Sequence, residues 1–400
     1  MRRETMMDVA HYRRDTPGCT HKVHFNNAGA SLMPSPVLES ISSYLSLEAI
    51  TGGYETADLK AADLEGYYES MSRLLNCRPR NIAYTSSATN SFARALSCLQ
   101  LEKGDNILIA REDYISNQLA FLSLQKRFGI QLLRAASLSE GGVDVDDLKR
   151  LIDKRRPKLV SLSHIPTNSG LIQPVEAVGK LCREQNIPYL VDGCQSAGQI
   201  PLDVNKIKCD FLTGTFRKFM RGPRGAGFLF VSDSILDKQL EPMFLDMRGA
   251  DWISQDAYEL RADARRFEDW ENSPALVLGS KASADYALKV GLDEIQKRNE
   301  YLCKLVREKL TKLNLMTLDN GKHLSSIITV KIDGKGPKEV LQFLRDENVN
   351  TSISNRNAAV IDFDAKRVTW ALRISPHYYN TEEEVERLSQ ALEEIVRNQN

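Results

Sequence analysis

Residues 188–231 read PYLVDGCQSAGQIPLDVNKIKCDFLTGTFRKFMRGPRGAGFLFV, and this stretch contains three short apolar runs that end in polar or turn-forming residues. The runs predict strands at Pro188–Asp192, Asp210–Gly214 and Gly227–Val231, because short apolar runs bounded by turn signals are typical of strands buried on both faces. A polar loop that contains Lys218 joins the last two runs. The stretch therefore predicts part of a buried sheet with polar groups near one edge.

A regular alternation of strand-like and helix-like segments begins near Ile82. Short apolar runs alternate with longer amphipathic segments such as Val175–Gln185, which indicates βαβ units on a mostly parallel sheet. In chain order, the predicted strands are Asn81–Thr85, Asn106–Ala110, Gln131–Ala135, Lys158–Ser163, Pro188–Asp192, Asp210–Gly214 and Gly227–Val231. The expected fold class is α/β, a large domain with a mostly parallel seven-stranded sheet.

The flanking segments predict a second, smaller domain. Val37–Tyr44 and Leu59–Leu75 have helical patterns that suit a dimer-forming arm or covering helices. After Ser273, one long helical pattern covers Ala275–Arg298 and continues to Leu313, and the strand-like SSIITVKI and VTWALRIS follow it. We therefore expect a large domain at residues 1–274 and a linking helix with a small α+β domain at residues 275–400, since a chain of 400 residues exceeds one ordinary core.

Bulk composition favours a small-molecule partner. Lys and Arg together number 53, as do Asp and Glu, so no net field attracts nucleic acid or an anionic membrane. No apolar run approaches the ~20 residues that span a bilayer, and the N-terminal MRRETMMDVAHYRR lacks the apolar stretch of a secretory signal, so we expect a cytoplasmic protein. The seven cysteines are scattered without metal-ligand spacing, which disfavours disulfides and a metal site.

Asp192 stands directly after the apolar run Tyr189–Val191. Ligands of open α/β sheets bind beyond the carboxyl ends of the strands, so this carboxylate is a candidate site residue. An aspartate at this place could equally cap the next helix.

Lys218 lies in a loop between two predicted buried strands, whereas most lysines are solvated surface groups. Neighbouring Arg217, Arg221 and Arg224 would destabilise its ammonium form and favour the neutral amine that Schiff-base chemistry requires. The loop therefore predicts an amine that reacts with a carbonyl compound.

Three other strand ends supply polar groups. Residues 85–90, TSSATN, stand between a strand and the predicted helix Ser91–Leu99, where backbone amides could bind a phosphate or where the hydroxyls could serve only as a helix cap. Tyr114 follows the next strand, and an aromatic ring there could stack on a flat heterocycle. His164, Thr167 and Asn168 follow another strand; each is a weak signal alone, but their occurrence at successive strand ends is not.

Five segments in this order, SSAT, EDYISN, HIPTNSG, VDGCQS and TGTFRK, resemble the class V aminotransferase family of fold type I pyridoxal-phosphate enzymes. The resemblance covers nearly the whole chain. This family contains cysteine desulfurases, isopenicillin-N epimerase-like proteins and ergothioneine-pathway C–S lyases, and its active sites form between the subunits of a homodimer. The resemblance therefore implies pyridoxal 5′-phosphate as cofactor, an amino-acid substrate and a homodimer.

The resemblance also implies a role for individual residues. Lys218 forms the Schiff base with the cofactor, Asp192 pairs with the pyridinium nitrogen, and Gln195 contacts the phenolic oxygen. Tyr114 takes the place of the ring-stacking residue, and Asn168 also belongs to the cofactor site. Ala88, Thr89 and Thr215 hold the phosphate. Near the C-terminus, ALRISPHYYNTEEEV matches a closing motif in which Arg373 binds the substrate carboxylate, a role that suits the bidentate geometry of guanidinium.

Departures from the family pattern narrow the expected reaction. Cysteine desulfurases need a cysteine in a loop of the small domain to receive sulfur, but the corresponding SISNRNAAVIDFDAKRV contains none. The loop RKFMRGPRG is closer to the ergothioneine C–S lyase and epimerase-like subgroup. The segment RRFEDWENS replaces the threonine-containing segment that usually reaches the phosphate of the partner subunit, so a contribution from Glu271, Asn272 or Ser273 stays open.

Three functions remain open from the sequence. The first is a lyase that cleaves a cysteine-derived substrate by β-elimination. The second is an aminotransferase or epimerase that acts on the same kind of substrate. The third is a protein that binds the cofactor without catalysis, against which the retained Lys218, Asp192 and Arg373 argue.

Overall fold

The computed structural model describes residues 7–397. Its helices are α1 (Val9–Arg14), α2 (Ser35–Thr51), α3 (Gly53–Leu59), α4 (Ala61–Leu75), α5 (Ala88–Ser97), α6 (Ile115–Phe128), α7 (Val145–Arg155), α8 (Val175–Glu184), α9 (Val204–Ile207), α10 (Asp233–Asp237), α11 (Pro274–Val290), α12 (Leu292–Lys312), α13 (Pro337–Asp346), α14 (Val360–Lys366) and α15 (Glu382–Arg397). Its strands are β1 (Val23–His24), β2 (Ile82–Thr85), β3 (Asn106–Ile109), β4 (Gln131–Arg134), β5 (Leu159–Ser163), β6 (Tyr189–Asp192), β7 (Phe211–Thr215), β8 (Gly227–Val231), β9 (Ala250–Ser254), β10 (Ala257–Leu260), β11 (Ile328–Val330), β12 (Val349–Asn350), β13 (Ser352–Asn355) and β14 (Trp370–Ile374).

A seven-stranded sheet forms the centre of the molecule, with strand order β2-β8-β7-β6-β5-β3-β4. Every neighbouring pair is parallel except the two pairs that involve β8. The predicted α/β class and the mostly parallel seven-stranded sheet are confirmed.

Both faces of this sheet are covered, which explains why most of its strands are buried along their whole length rather than on alternate residues, with the edge strand β4 as the exception. Leu108 and Leu212 point into an apolar cluster on one face, whereas the adjacent Ile107 and Phe211 point into a second cluster on the other. Successive side chains of a strand project to opposite faces, so each short strand contributes to both clusters.

The C-terminal part has its own three-stranded sheet, with strand order β11-β14-β13, and its own apolar cluster. Val23 and Phe25 of the N-terminal segment belong to this cluster, and β1 pairs in parallel with β12. This long-range pairing was not predicted from the sequence. The division into residues 1–274 and 275–400 stays a prediction.

The long helical pattern that begins at Ala275 is broken in the structure. Helix α11 ends at Val290 and α12 begins at Leu292, with Gly291 between them at a φ of 90°. This left-handed backbone conformation suits glycine, so the prediction of one continuous helix was wrong at this residue. Helices α2 and α4 both pack on α11, as the interpretation of covering helices requires.

None of the helices within residues 7–397 combines the length and the apolar character that crossing a bilayer requires.

Candidate active site

The predicted site residues converge at the carboxyl ends of β5, β6 and β7. These three neighbouring strands run parallel, and their register aligns Ser163 with Asp192 and Asp192 with Thr213. Lys218 follows β7 within the loop that leads to β8. The edge of the sheet therefore carries a carboxylate and an amine at adjacent strand ends, the arrangement expected for a ligand site of an open α/β sheet.

Asp192 is buried and accepts two hydrogen bonds. The side-chain amide of Asn117 donates to Oδ2 at 2.8 Å, and the backbone N–H of Cys194 donates to Oδ1 at 2.9 Å. Donation from Cys194, two residues after Asp192, is a local Asx-turn contact, and residues 194–199 form turns rather than a helix that Asp192 could cap. The contact with Asn117, which comes from α6, is not local and orients the carboxylate from a second element.

A second buried carboxyl group, that of Asp113, supports Asn117. Its Oδ1 accepts from Asn117 at 3.0 Å and from the Ser163 hydroxyl at 2.6 Å, while Gln118 donates to Oδ2 at 3.0 Å. Burial raises the pKa of Asp113 to about 6, although the hydrogen bonds from Ser163 and Asn117 act in the opposite direction. Sequence reasoning missed Asp113 and Asn117. The segment EDYISN held the signal, because its asparagine lies three residues after Tyr114 and thus on the same side of a helix.

Lys218 is 5% exposed, and its Nζ lies 5.6 Å from the centre of the Tyr114 ring. Burial is the largest cause that lowers the pKa of its ammonium group below the ordinary value. The nearby Cys194 and Asp192 oppose this shift, whereas Arg217 and Arg373 add to it. The pKa of Lys218 is therefore shifted in the predicted direction, and this shift favours the neutral amine.

We expected Arg221 to destabilise the Lys218 ammonium, but the structure gives Arg221 another role. Its fully buried guanidinium lies 4.3 Å from the centre of the Tyr379 ring and donates to the Tyr378 hydroxyl at 2.6 Å and to the Leu32 carbonyl at 3.0 Å. A cation held against aromatic rings in this way is a structural anchor. Because the Arg221 amide donates to the Lys218 carbonyl at 2.8 Å, the anchor fixes the loop just after the lysine.

The predicted phosphate segment begins helix α5 earlier than expected. The helix starts at Ala88 rather than Ser91, and Ser87 caps it by accepting from the Asn90 amide at 3.1 Å. Ala88 and Thr89 therefore lie in the first turn, where backbone amides lack partners within the helix. Ser87 can therefore cap α5 while the remaining backbone amides of the first turn bind an anion.

Thr215 lies beside this helix start. The ends of β2 and β7 both align with Gly227 of β8, which places Thr85 and Thr215 on either side of that glycine. A Cβ on Gly227 would lie only 2.7 Å from the Ala88 backbone nitrogen, so the close approach of strand and helix requires glycine. The Thr215 hydroxyl donates to the Ala226 carbonyl at 3.3 Å.

Gln195 and Asn168 lie at the same edge and are both buried. The Gln195 amide donates to the Ala28 carbonyl at 3.1 Å and to the Thr167 hydroxyl at 3.2 Å, whereas its Oε1 has no hydrogen-bond partner in the described part of the chain. Asn168 donates to the Ala358 carbonyl at 3.3 Å and so links the sheet edge to the C-terminal part.

Arg373, on β14, is buried, and no ion pair among the described residues involves it. Its Nη2 donates to the Asn26 side chain at 3.3 Å, and its Nε has no hydrogen-bond partner within residues 7–397. Burial, followed by the charge of Arg217, lowers the pKa of Arg373 to about 10. Buried guanidinium groups are normally paired, so this one is placed to bind an anion. The sequence did not indicate Asn26 as its neighbour.

These residues fit pyridoxal phosphate. Lys218 supplies a buried amine of lowered pKa, and Asp192 supplies a buried carboxylate that hydrogen bonds orient. The N-terminus of α5 lies close to Gly227 and offers backbone amides. Gln195 Oε1 and Arg373 Nε are buried polar atoms without a hydrogen-bond partner in the described chain. Such a donor set matches an aldehyde, a pyridine nitrogen, a phosphate and the carboxylate of an amino acid.

Comparison with known proteins gives an independent result. The family model described as aminotransferase class V matches residues 23–388. A probable cysteine desulfurase of Pyrococcus abyssi is 28% identical over 395 residues, which cover 96% of this chain and 97% of that protein.

Two solved structures show the same fold. The apo cysteine desulfurase of Thermococcus onnurineus NA1 has a TM-score of 0.91 at 24% identity and covers 99% of both chains. The cystine C–S lyase C-DES, in complex with its reaction product cysteine persulfide, has a TM-score of 0.84 at 22% identity and covers 94% of this chain and 99% of that one. The family match spans most of the chain, and the residues at the sheet edge suit the cofactor of this family. The chain therefore belongs to the class V aminotransferase family of pyridoxal-phosphate enzymes.

Proposed function

We propose that this protein is a C–S lyase that cleaves a cysteine-derived amino acid by β-elimination. The observation that carries the proposal is the buried Arg373, which has no acidic partner in the described chain and lies near Lys218, whose pKa it lowers. A guanidinium group so placed suits the carboxylate of an amino acid whose Cα then faces the lysine.

We propose the following residues for cofactor binding. Lys218 holds the carbonyl carbon, Asp192 the ring nitrogen, Gln195 the phenolic oxygen, Tyr114 one face of the ring, and Asn168 supports the same site. Ala88, Thr89 and Thr215 hold the phosphate. When bound, the cofactor supplies an electron sink that stabilises negative charge at the substrate Cα.

Lys218 moves the proton in this proposal. Once its amine is free of the cofactor carbonyl carbon, the lowered pKa favours the neutral form, so Nζ can accept the proton from the substrate Cα. The Cβ–S bond then breaks, its electron pair leaves with sulfur, and the Lys218 ammonium returns the proton to the thiolate, which gives a thiol and 2-aminoacrylate. Water converts aminoacrylate to pyruvate and ammonia. Arg373 keeps the substrate carboxylate fixed throughout.

The cysteines favour elimination without a protein-bound sulfur carrier. The segment at residues 352–368 contains no cysteine. Cys303 is 2% exposed in the C-terminal core, and burial raises the pKa of its thiol. Cys194 is near Lys218, but burial and Asp192 raise the pKa of its thiol well above the ordinary value. A thiol held in its protonated form is a poor nucleophile.

Within the family, we place the protein with the ergothioneine-pathway C–S lyases and epimerase-like proteins. The relative from Pyrococcus abyssi carries the name probable cysteine desulfurase, so this finer placement rests on the missing loop cysteine and on the RKFMRGPRG loop. We also propose a homodimer. Phe244, Trp252 and Ile253 are exposed by 78%, 81% and 60% in and just before the β9–β10 hairpin, and exposed apolar surface of this kind favours a protein interface.

A substrate screen tests the proposed reaction. The purified protein, loaded with pyridoxal phosphate, is incubated with cystine, S-methylcysteine or S-benzylcysteine, and pyruvate is measured with lactate dehydrogenase. Parallel reactions contain a 2-oxo acid, and amino transfer is measured by chromatography. We expect pyruvate without a 2-oxo acid. Amino transfer without pyruvate would show an aminotransferase instead.

A further inference from the structure

A cavity of about 280 Å³ lies between the start of α6 and residues 357–362 of the C-terminal part. It adjoins the candidate active site, because Asn168 lines the cavity and holds the Ala358 carbonyl at 3.3 Å. Asp113 and Ile115, which flank Tyr114 in the chain, also line it. Asp113 accepts the Tyr114 backbone amide at 2.7 Å, so this wall of the cavity is tied to the residue whose ring centre lies 5.6 Å from Lys218 Nζ.

The walls of this cavity are largely apolar. Ile115, Leu119 and Leu122 line it from α6, where their spacing places them on one side of the helix. Leu119 and Leu122 are 58% and 45% exposed. Exposed leucines around a concave site favour an apolar ligand group, since that group would remove their surface from water.

The charged groups of the cavity do not oppose an apolar ligand. The Glu112 carboxylate accepts a hydrogen bond from the Ser169 hydroxyl, and Asp362 is 2.7 Å from the Lys366 ammonium. The third acid of the wall, Asp113, accepts from Ser163 and Asn117, so all three acids have partners in the protein. Arg134, whose Nε has no hydrogen-bond partner in the described residues, supplies the polar end of the cavity.

The opposite wall belongs to the segment that lacks the desulfurase cysteine. Ala358 and Ala359 of this segment line the cavity, and their small side chains leave its volume open. For scale, an apolar cavity of about 150 Å³ in another protein accommodates benzene. This one has room for an aromatic ring.

We propose that this cavity binds the substituent on the substrate sulfur, so that the protein prefers cysteine S-conjugates with a bulky apolar group. This inference rests on the proposed C–S lyase function and names its substrate class. The substituent leaves with sulfur as the thiol, in the same β-elimination written above, and no oxidant or reductant is required.

The test compares S-benzylcysteine with S-methylcysteine as substrates of the cofactor-loaded protein. For the wild-type protein we expect kcat/KM for pyruvate release to be about 10-fold higher with S-benzylcysteine, the size of effect that an apolar subsite gives. Ala358→Phe narrows the cavity and should lower this ratio by about 10-fold. Leu119→Gln removes an apolar wall at a surface position and should lower the ratio by a few-fold, even if Ala358→Phe does not fold.

Asn355→Phe is the matched control, because Asn355 is exposed on the neighbouring strand β13 and does not line the cavity. The control should keep the wild-type ratio. Pyruvate release from both substrates with no preference, or with a ratio that Ala358→Phe and Leu119→Gln leave unchanged, would overturn the cavity proposal while the lyase function stands. Release from cystine but from neither S-conjugate would also overturn the cavity proposal alone, whereas release from none of the three substrates would overturn both.

Discussion

The buried carboxyl groups of Asp113 and Asp192 are joined through one side-chain amide. Asn117 donates from the same Nδ2 to Asp113 at 3.0 Å and to Asp192 at 2.8 Å. Asp113 also accepts from the backbone amide of Tyr114 at 2.7 Å. One carboxyl group on the loop before α6 thus positions both the proposed ring-nitrogen partner and the proposed ring-stacking residue.

Removing the shared amide should weaken cofactor binding. Asn117→Ala takes a hydrogen bond from each of two buried carboxyl groups, and an unsatisfied buried polar group costs about 1–3 kcal/mol. We expect about 10-fold or greater weakening of the affinity for pyridoxal phosphate, measured by fluorescence titration of the apo protein. Ser116→Ala, at the preceding position of α6, is the control. Equal affinities of the wild-type and Asn117→Ala proteins would show that Asp192 does not depend on this amide.

Truncating Arg373 should impair substrate use while the cofactor stays bound. Loss of a buried charge partner costs about 3 kcal/mol or more, so Arg373→Ala should lower kcat/KM by about 100-fold. Arg373→Lys keeps the charge but loses the planar pair of donors, and we expect it to recover only part of the activity. Steady-state kinetics and the visible absorbance of the cofactor provide the two readouts. Loss of cofactor in proportion to activity would mean that Arg373 does not bind the substrate carboxylate.

Acid should destabilise the protein through buried neutral histidines. His24 is held as the neutral ring between the Ala30 carbonyl at 2.9 Å and the Asn350 amide at 3.2 Å. Burial lowers its pKa to about 4, and burial does the same for His164. A histidine whose pKa is lower in the folded state than in the unfolded state stabilises the fold when both states are neutral, at pH values above the unfolded pKa near 6.5. This stabilisation is lost as the pH falls toward 4, because the unfolded state then binds a proton that the folded state does not.

The loss from pH 7 to pH 5 should be about 2 kcal/mol for each of these histidines. His24→Gln should therefore reduce the shift of the urea midpoint between the two pH values, whereas replacement of the exposed His323 by glutamine should not. A midpoint shift that His24→Gln leaves at the wild-type size would contradict the assignment of a neutral buried ring.

Much of the fold could be predicted because most of its strands are short, rich in apolar residues and bounded by turn residues. The run YLV before Asp192 and the run GFLFV at residues 227–231 are recognisable without tertiary information. The pairing of β1 with β12 could not be predicted, since it joins residues more than 300 positions apart through two-residue strands. The break at Gly291 could have been anticipated from glycine alone.

Residues of the candidate site could be predicted where they lie at the end of a single strand. Contacts that bring several distant elements together could not be predicted. Asp192, Thr215 and Lys218 lie at or just after strand ends, so their convergence follows from a parallel sheet. Arg221 was misjudged because sequence proximity to Lys218 suggested a charge effect, whereas its partners Tyr378, Tyr379 and Leu32 come from distant parts of the chain. The contact between Asn26 and Arg373 is equally nonlocal.

The most direct test of the central claim is the chemical identity of the lysine that carries the cofactor. Protein loaded with pyridoxal phosphate is reduced with borohydride, digested and examined by mass spectrometry, with Lys238→Ala as a control at an exposed position. We expect the cofactor mass on the peptide that contains Lys218, and we expect Lys218→Ala to lose both this label and the visible absorbance. A label on another lysine, or an unchanged spectrum of the Lys218→Ala protein, would contradict the account.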